Sequence, residues 1–268
     1  MYITLEELVN KVYPDGADDI DIVNFLDDSC EKIIEPVIEK SYIELSEYVN
    51  AMENKMVMKR ENIGNKAIWT AKKRYIMNVF DSEGVRYEEP KLKIMGIEAV
   101  RSSTPSSCRE NIKKALTVIM NQDEDALIKF IDGFREEFRT LPFEDVAFPR
   151  GCKGLTKYID RSMIYKKGTP IHVRGALMFN HLLKEHKLDR FQPIQEGDKV
   201  KFCYLKVPNP SRENVIAIAS TLPRQLDLDK YIDYDKQFEK AFLEPMRTVI
   251  EAIGWNVEKQ MTLEAFFG

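Results

Sequence analysis

Trp69-Thr70-Ala71-Lys72-Lys73-Arg74-Tyr75 lies ahead of an apolar run and reads as part of the first arm of a β-hairpin. That strand is predicted from Ile68 to Val79. Asp81-Ser82-Glu83-Gly84 supplies the turn, and Val85-Arg86-Tyr87 begins the return strand. Side chains alternate along a strand, so Lys72 and Arg74 are expected on one face and Lys73 and Tyr75 on the other. Three adjacent cations would strain a sheet packed on both sides. Lying over a duplex backbone, or in its minor groove, relieves that repulsion. Minor-groove acceptors are nearly independent of sequence. The competing reading is an exposed strand edge guarded by lysines.

Working outward, residues 1–8 read as a short strand around Tyr2-Ile3-Thr4, and Asp15-Gly16 as a turn. Residues 18–53 carry apolar side chains at helical spacing, with Pro36 inside the pattern, so a kink or two abutting helices is expected there. Met56 to Met58 reads as a strand. Downstream, Thr104 or Ser103 is expected to cap a helix opening at Pro105 and running to about Met120. A second helix is predicted from about Glu124 to Arg139. Pro142 and Pro149 break regularity, and residues 150–188 read as mostly helical or irregular. Val200 to Val207 and Val215 to Ala219 form a small strand pair, and Tyr231 to Ile253 a helix ended by Gly254. The class is α+β, strand-rich before a boundary near Gly96–Thr104 and helix-rich after it.

At 268 residues with 44% hydrophobic content, the chain can bury a core and has room for two domains. No apolar run reaches the ~18 residues of a membrane span. Cys30, Cys108, Cys152 and Cys203 are scattered and, with three lone histidines, make no zinc spacing; reduced thiols in a cytoplasmic protein are expected. The net charge of -4 hides a segregation. Residues 1–53 carry 3 basic and 14 acidic side chains, residues 54–114 carry 14 and 7, and residues 149–212 carry 14 and 5. Two basic blocks in an otherwise acidic chain suggest two surfaces facing a polyanion. For any single Lys, a solvated helix face is the competing reading.

The chain ends in Gln260-Met-Thr-Leu-Glu-Ala-Phe-Phe-Gly268. One tight helical turn would gather Leu263, Phe266 and Phe267 into an apolar anchor for a partner's groove, with the Gln260 amide at the rim. A tail folded back onto its own core is the alternative. The stretch resembles the peptide by which replication proteins hold a ring-shaped sliding clamp.

Trp-Thr-x-Lys-Lys-Arg-Tyr, Glu89-Pro-Lys-Leu-Lys-Ile-Met-Gly96, Ser102-Ser-Thr-Pro105, His172-x-Arg-Gly175 and the terminal peptide occur in this order. The series resembles the C-terminal part of family B replicative DNA polymerases of T-even-type bacteriophages, most strongly over residues 66–106. The resemblance implies a palm remainder over residues 1–103 (antiparallel strands with a long helix), a mainly helical thumb with a small hairpin over 104–259, and a clamp-binding tail over 260–268. It implies duplex contacts from Lys72, Lys73, Arg74, Tyr75 and Lys93, with His172 and Arg174 as thumb contacts. Gln260, Leu263, Phe266 and Phe267 would bind the clamp.

In that family an Asp-Thr-Asp-Ser turn precedes a strand that Met1-Tyr2-Ile3 resembles. The metal-binding aspartates would then lie ahead of residue 1, in an N-terminal polymerase half that also supplies fingers and exonuclease. Catalytic residues are expected to be absent from this chain, and the Mg²⁺ of the assembled polymerase to find its ligands in that half. The clusters Asp18-Asp19-Ile-Asp21 and Asp27-Asp28 read as solvated helix faces. Glu61 matches a family acid and is assigned as a carboxylate supporting the metal site, whereas Lys59 reverses a family charge; an ordinary charged strand stays open there. The expected function is a split part of a polymerase, inactive alone, binding primer–template duplex and clamp in the cytoplasm of an infected host. The alternative is a non-catalytic, clamp-associated DNA-binding factor.

Overall fold

The structure, a computed structural model, describes residues 2–97, 101–160 and 163–257. Among these residues no helix is long and apolar enough to cross a membrane. The chain opens with helices α1 (Glu6–Val12), α2 (Asp19–Ser29) and α3 (Glu35–Tyr48). Strands β1 (Asn62–Ala71), β2 (Arg74–Ser82) and β3 (Val85–Met95) follow and form one sheet in that order. Then come α4 (Ser106–Asn121), α5 (Glu124–Phe138), the single turn α6 (Phe143–Val146), β4 (Phe148–Gly151) and α7 (Leu155–Tyr158). The two-residue strands β5 (Ile159–Asp160) and β6 (Ile164–Tyr165) pair with each other. The chain continues with α8 (Ile171–Glu185), β7 (Lys199–Tyr204), β8 (Val215–Ile218), α9 (Tyr234–Phe238) and α10 (Glu244–Ala252). The α+β class is observed.

The chain separates into two compact units. The first comprises Met1–Ala67 and Ile76–Lys93, the second Ile68–Tyr75 and Ile94–Gly268. In the first, Val23, Ile63 and Phe80 form a buried cluster with Leu26 against it. A Cβ on Gly64 would stand 2.2 Å from the Asn78 carbonyl oxygen, so only glycine permits that strand approach. The Asp81–Gly84 turn forms as expected: Glu83 (φ 51) and Gly84 (φ 86) make a two-residue loop with both residues left-handed, and Gly84 N–H donates to Asp81 Oδ1 at 3.0 Å.

In the second unit α8 packs on β8, all four of whose residues are buried. A Cβ on Gly175 would meet the Ala217 nitrogen at 2.8 Å, which explains a glycine inside α8. The sheet order is β4-β7-β8, with Phe148 opposite Phe202 and Cys203 opposite Ile216. Phe134, Phe138, Phe238 and Phe242 form a ring cluster with centroids 4.9–5.7 Å apart.

Several expectations are corrected. Residues 2–5 form no strand, and Glu6–Val12 is helical instead: Glu6 and Glu7 in the first turn and Lys11 in the last complement the helix dipole. Met56 to Met58 lies in irregular chain. Ile68 to Val79 is two strands, not one, because Lys72-Lys73 turns the chain with Lys73 at φ 62. The predicted alternation of Lys72, Lys73, Arg74 and Tyr75 along one strand therefore fails. Pro149, expected to break regularity, lies in β4, where an edge strand tolerates its missing donor. Pro105 is the cap of α4 rather than its first residue, and no side chain caps that end.

The long helices around Pro36 and before Gly254 are interrupted in the same way. Five-residue π-helical turns, Cys30–Ile34 and Glu239–Leu243, precede Glu35-Pro36 and Glu244-Pro245. Glu35 N–H reaches back five residues to the Cys30 carbonyl, and Glu244 N–H to that of Glu239. A proline lacks the next donor and its ring crowds the carbonyl four residues back, so a widened turn ahead of it relieves both problems.

Candidate nucleic-acid interface

The β1–β2 turn carries Lys72 and Lys73 into solvent. Thr70 Oγ1 donates to the Arg74 carbonyl at 3.3 Å, closing the turn, and Trp69 and Tyr75 lie across it with ring centroids 4.7 Å apart. Gly96 supports it from behind. At φ 68, a Cβ there would stand 2.4 Å from the Lys73 carbonyl oxygen and 2.9 Å from Arg74 Cγ. The glycine that closes Glu89-Pro-Lys-Leu-Lys-Ile-Met-Gly96 is thus required by the turn that presents the cations.

Arg74 also lines a groove of about 360 Å³ in the second unit with Arg101, Arg150 and Lys240. Ser103, Thr104 and Thr248 add hydroxyls to its wall. Glu244 is the acid among the groove's described lining residues and is paired with Lys240. Arg150 Nη1 donates to the Ser103 carbonyl at 3.5 Å, a weak hold that leaves its other donors for an incoming group. The arrangement suits an anion with several acceptor oxygens, such as a phosphodiester. Burial and then the charge of Arg150, a groove residue, hold the His172 imidazole below its ordinary range, which disfavours its cationic form.

The second cleft, of about 640 Å³ in the first unit, is acidic: Asp27, Glu31, Glu35, Glu61 and Glu83 line it with Lys59 and Arg60. Two of its lining residues, Asp27 and Arg60, belong to a four-membered charge network. Arg60 reaches Asp27 at 2.7 Å and pairs with the fully buried Asp81. Arg86 reaches Asp81 at 2.8 Å and Asp27 at 2.6 Å. Asp27 is therefore a structural ligand of two guanidinium groups, a correction to its reading as a solvated face. Glu61 pairs with Lys93 at 2.6 Å, and that hydrogen bond and charge hold its carboxyl below the usual range.

Two positions assigned separate roles in sequence, metal support and duplex contact, thus face each other. Among the described residues no group of three or more His, Cys, Asp or Glu could hold a metal ion. With Asp27 and Asp81 each spanned by two arginines, these residues do not fit Mg²⁺.

The structure holds Arg174 inward. Its Nη2 donates to Asn214 Oδ1, its guanidinium lies 5.9 Å from the centre of the Tyr165 ring, and Glu213 lies 3.9 Å from its Nε. Tyr165 O–H donates to the same Glu213. Of the cationic positions assigned from sequence, only Arg74 lines the groove; Lys72 and Lys73 neighbour it in the chain. Arg101, Arg150 and Lys240 were missed. Arg101 sits one residue before the quoted Ser102-Ser-Thr-Pro105, and only tertiary packing brings the other two beside it. Gln260, Leu263, Phe266 and Phe267 lie outside the described residues.

No protein-family model matches the chain. Two curated proteins do. It is 32% identical over 281 residues to the DNA-directed DNA polymerase of Enterobacteria phage T4, and 33% identical over 280 residues to that of Escherichia phage RB69. The chain is homologous to part of the T-even-type phage DNA polymerases. Both matches take in all of this chain, and the chain spans 31% of the length of each relative.

Cys108, Cys152 and Cys203 are buried free thiols. Burial pushes Cys108 up to about 12 and Cys152 to about 11, which keeps both in the thiol form at neutral pH.

Proposed function

We propose that this chain is the duplex-gripping C-terminal part of a family B DNA polymerase. The observation that carries the reading is the cationic groove of Arg74, Arg101, Arg150 and Lys240 beside the exposed Lys72-Lys73 turn. It lies on a chain homologous over its whole length to phage polymerases.

The groove cations hold backbone phosphates and release their counterions, so binding is strong, salt-dependent and indifferent to sequence. The turn lysines follow the adjacent minor groove, whose acceptors are shared by all base pairs. Template-directed nucleotidyl transfer needs carboxylates converging on Mg²⁺, and these are assigned to polymerase residues outside this chain. Alone, the chain binds duplex and does not extend primers. The tail at Gln260, Leu263, Phe266 and Phe267 tethers the assembly to a sliding clamp, raising the local concentration at the primer end.

Fluorescence anisotropy with duplexes of unrelated sequence tests the grip. Affinities should agree across sequences and fall steeply with salt. Lys72→Ala/Lys73→Ala should reduce the log–log salt slope by about two, and Arg150→Ala by about one more. A salt-independent affinity, or variants that leave the slope unchanged, would remove the reading. Primer extension with the remaining polymerase part supplied separately tests the assembly: activity only with both chains supports a divided enzyme. Full activity without this chain would make it an accessory factor.

A further inference from the structure

Helix α3 has fourteen residues and buries none of them. Yet Val37 is 63% exposed and Tyr48 86%, with Ile33, Leu45, Val49 and Met52 also in solvent. On a helical wheel, Val37, Leu45, Tyr48 and Val49 fall within about 120° of one another. Its β-branched Val37, Ile38 and Ile43 lower its own helix propensity. Apolar patches of this kind are uncommon on free surfaces and mark interaction sites.

We infer that this face of α3 is the docking surface for the polymerase segment that makes up the remaining two thirds of the phage relatives; the inference rests on the proposed function. Length commits it to that occupant, because the chain spans 31% of each relative and the rest of the polymerase fold must abut it somewhere. Charge points the same way. Residues 1–53 carry 14 acidic and 3 basic side chains, and Glu39, Glu44 and Glu47 stand exposed on α3 itself. Duplex DNA is repelled from such a face. A second copy of the chain would bring like charges together. The fitting partner offers apolar side chains rimmed by Lys and Arg.

The test titrates the full chain with a separately expressed cognate polypeptide matching the remaining two thirds of the phage T4 relative. Val37→Glu/Tyr48→Glu should weaken association by about 30-fold or more, as expected when two central apolar anchors are lost. Both side chains already face solvent, so far-ultraviolet circular dichroism and duplex affinity of the variant should match the parent. Residues 33–49 should gain hydrogen-exchange protection on complex formation, and Val37→Leu should bind as the parent does. Unchanged affinity of the double variant, or no gain of protection over 33–49, overturns the inference. So does a concentration-dependent dimer of the chain that the same variant dissolves. If primer extension needs both chains yet ignores the double variant, the docking face fails and the functional reading stands. If the cognate polypeptide extends primers fully without this chain, the functional reading itself fails.

Discussion

The two units are stabilised by different physics. In the second, Phe134, Phe138, Phe238 and Phe242 interlock, and α8 rests on a fully buried strand. Hydrogen bonds tie its packed elements together: buried Gln237 accepts from Tyr204 N–H at 3.2 Å, and Asn180 exchanges two hydrogen bonds with Ile194. In the first, a small cluster around Val23, Ile63 and Phe80 is reinforced by the Arg60–Asp81–Arg86–Asp27 network, while α1 and α3 bury nothing. One unit is built around apolar burial and supplies the candidate grip. The other is held by charge and presents unspent apolar surface. A rigid support behind the groove suits a site that must hold phosphates in register.

Each unit can be weakened separately, at its ring cluster or at its charge network. Phe138→Ala removes a fully buried ring from the centre of the second unit and should cost about 3–5 kcal/mol. Both tryptophans, Trp69 and Trp255, belong to that unit, so the loss should appear as an earlier urea transition in tryptophan fluorescence. A shift under ~1 kcal/mol would mean the ring cluster is not what holds it.

Asp81→Asn leaves Arg60 and Arg86 facing a neutral group and should destabilise the first unit by about 3 kcal/mol. Hydrogen exchange of α2 and β2 amides is the measurement, because it reads this unit residue by residue. Protection should fall there and hold in α8. If instead α2 keeps its protection, the charge network is incidental and the contrast between the units dissolves.

Much of this was legible in the residues. The Asp81–Gly84 hairpin turn, the strand pair β7–β8 and the end of α10 at Gly254 carry glycine and β-branched signals that act locally. Interruption of the helix at Pro36 was legible for the same reason. The turn at Lys72-Lys73 was not, since it contains no Gly, Asn, Asp or Pro and its left-handed residue is a lysine. What stabilises it is Gly96, more than twenty residues away, whose missing side chain admits the Lys73 carbonyl. The network linking Asp27, Arg60, Asp81 and Arg86 and the groove residues Arg150 and Lys240 were illegible because only tertiary packing brings them together. Charge counting found the basic blocks but not which cations converge.

Lys73→Gly separates the conformational part of the grip from its charge. A non-glycine residue in the left-handed region is strained by about 1 kcal/mol or more, whereas glycine's greater freedom in the unfolded chain takes back roughly 0.5 kcal/mol. The substitution should therefore raise stability by about 0.5 kcal/mol, read as a later urea midpoint in tryptophan fluorescence. The same change deletes one cation and should lower the salt slope of duplex binding by about one. A protein that becomes more stable and binds more weakly is the signature of a lysine kept in a strained turn for its charge. If stability falls, the turn does not need the left-handed residue found at Lys73. If the slope is unmoved while Lys72→Ala still lowers it, the contact with the duplex belongs to Lys72 and the strain at Lys73 serves only to aim its neighbour.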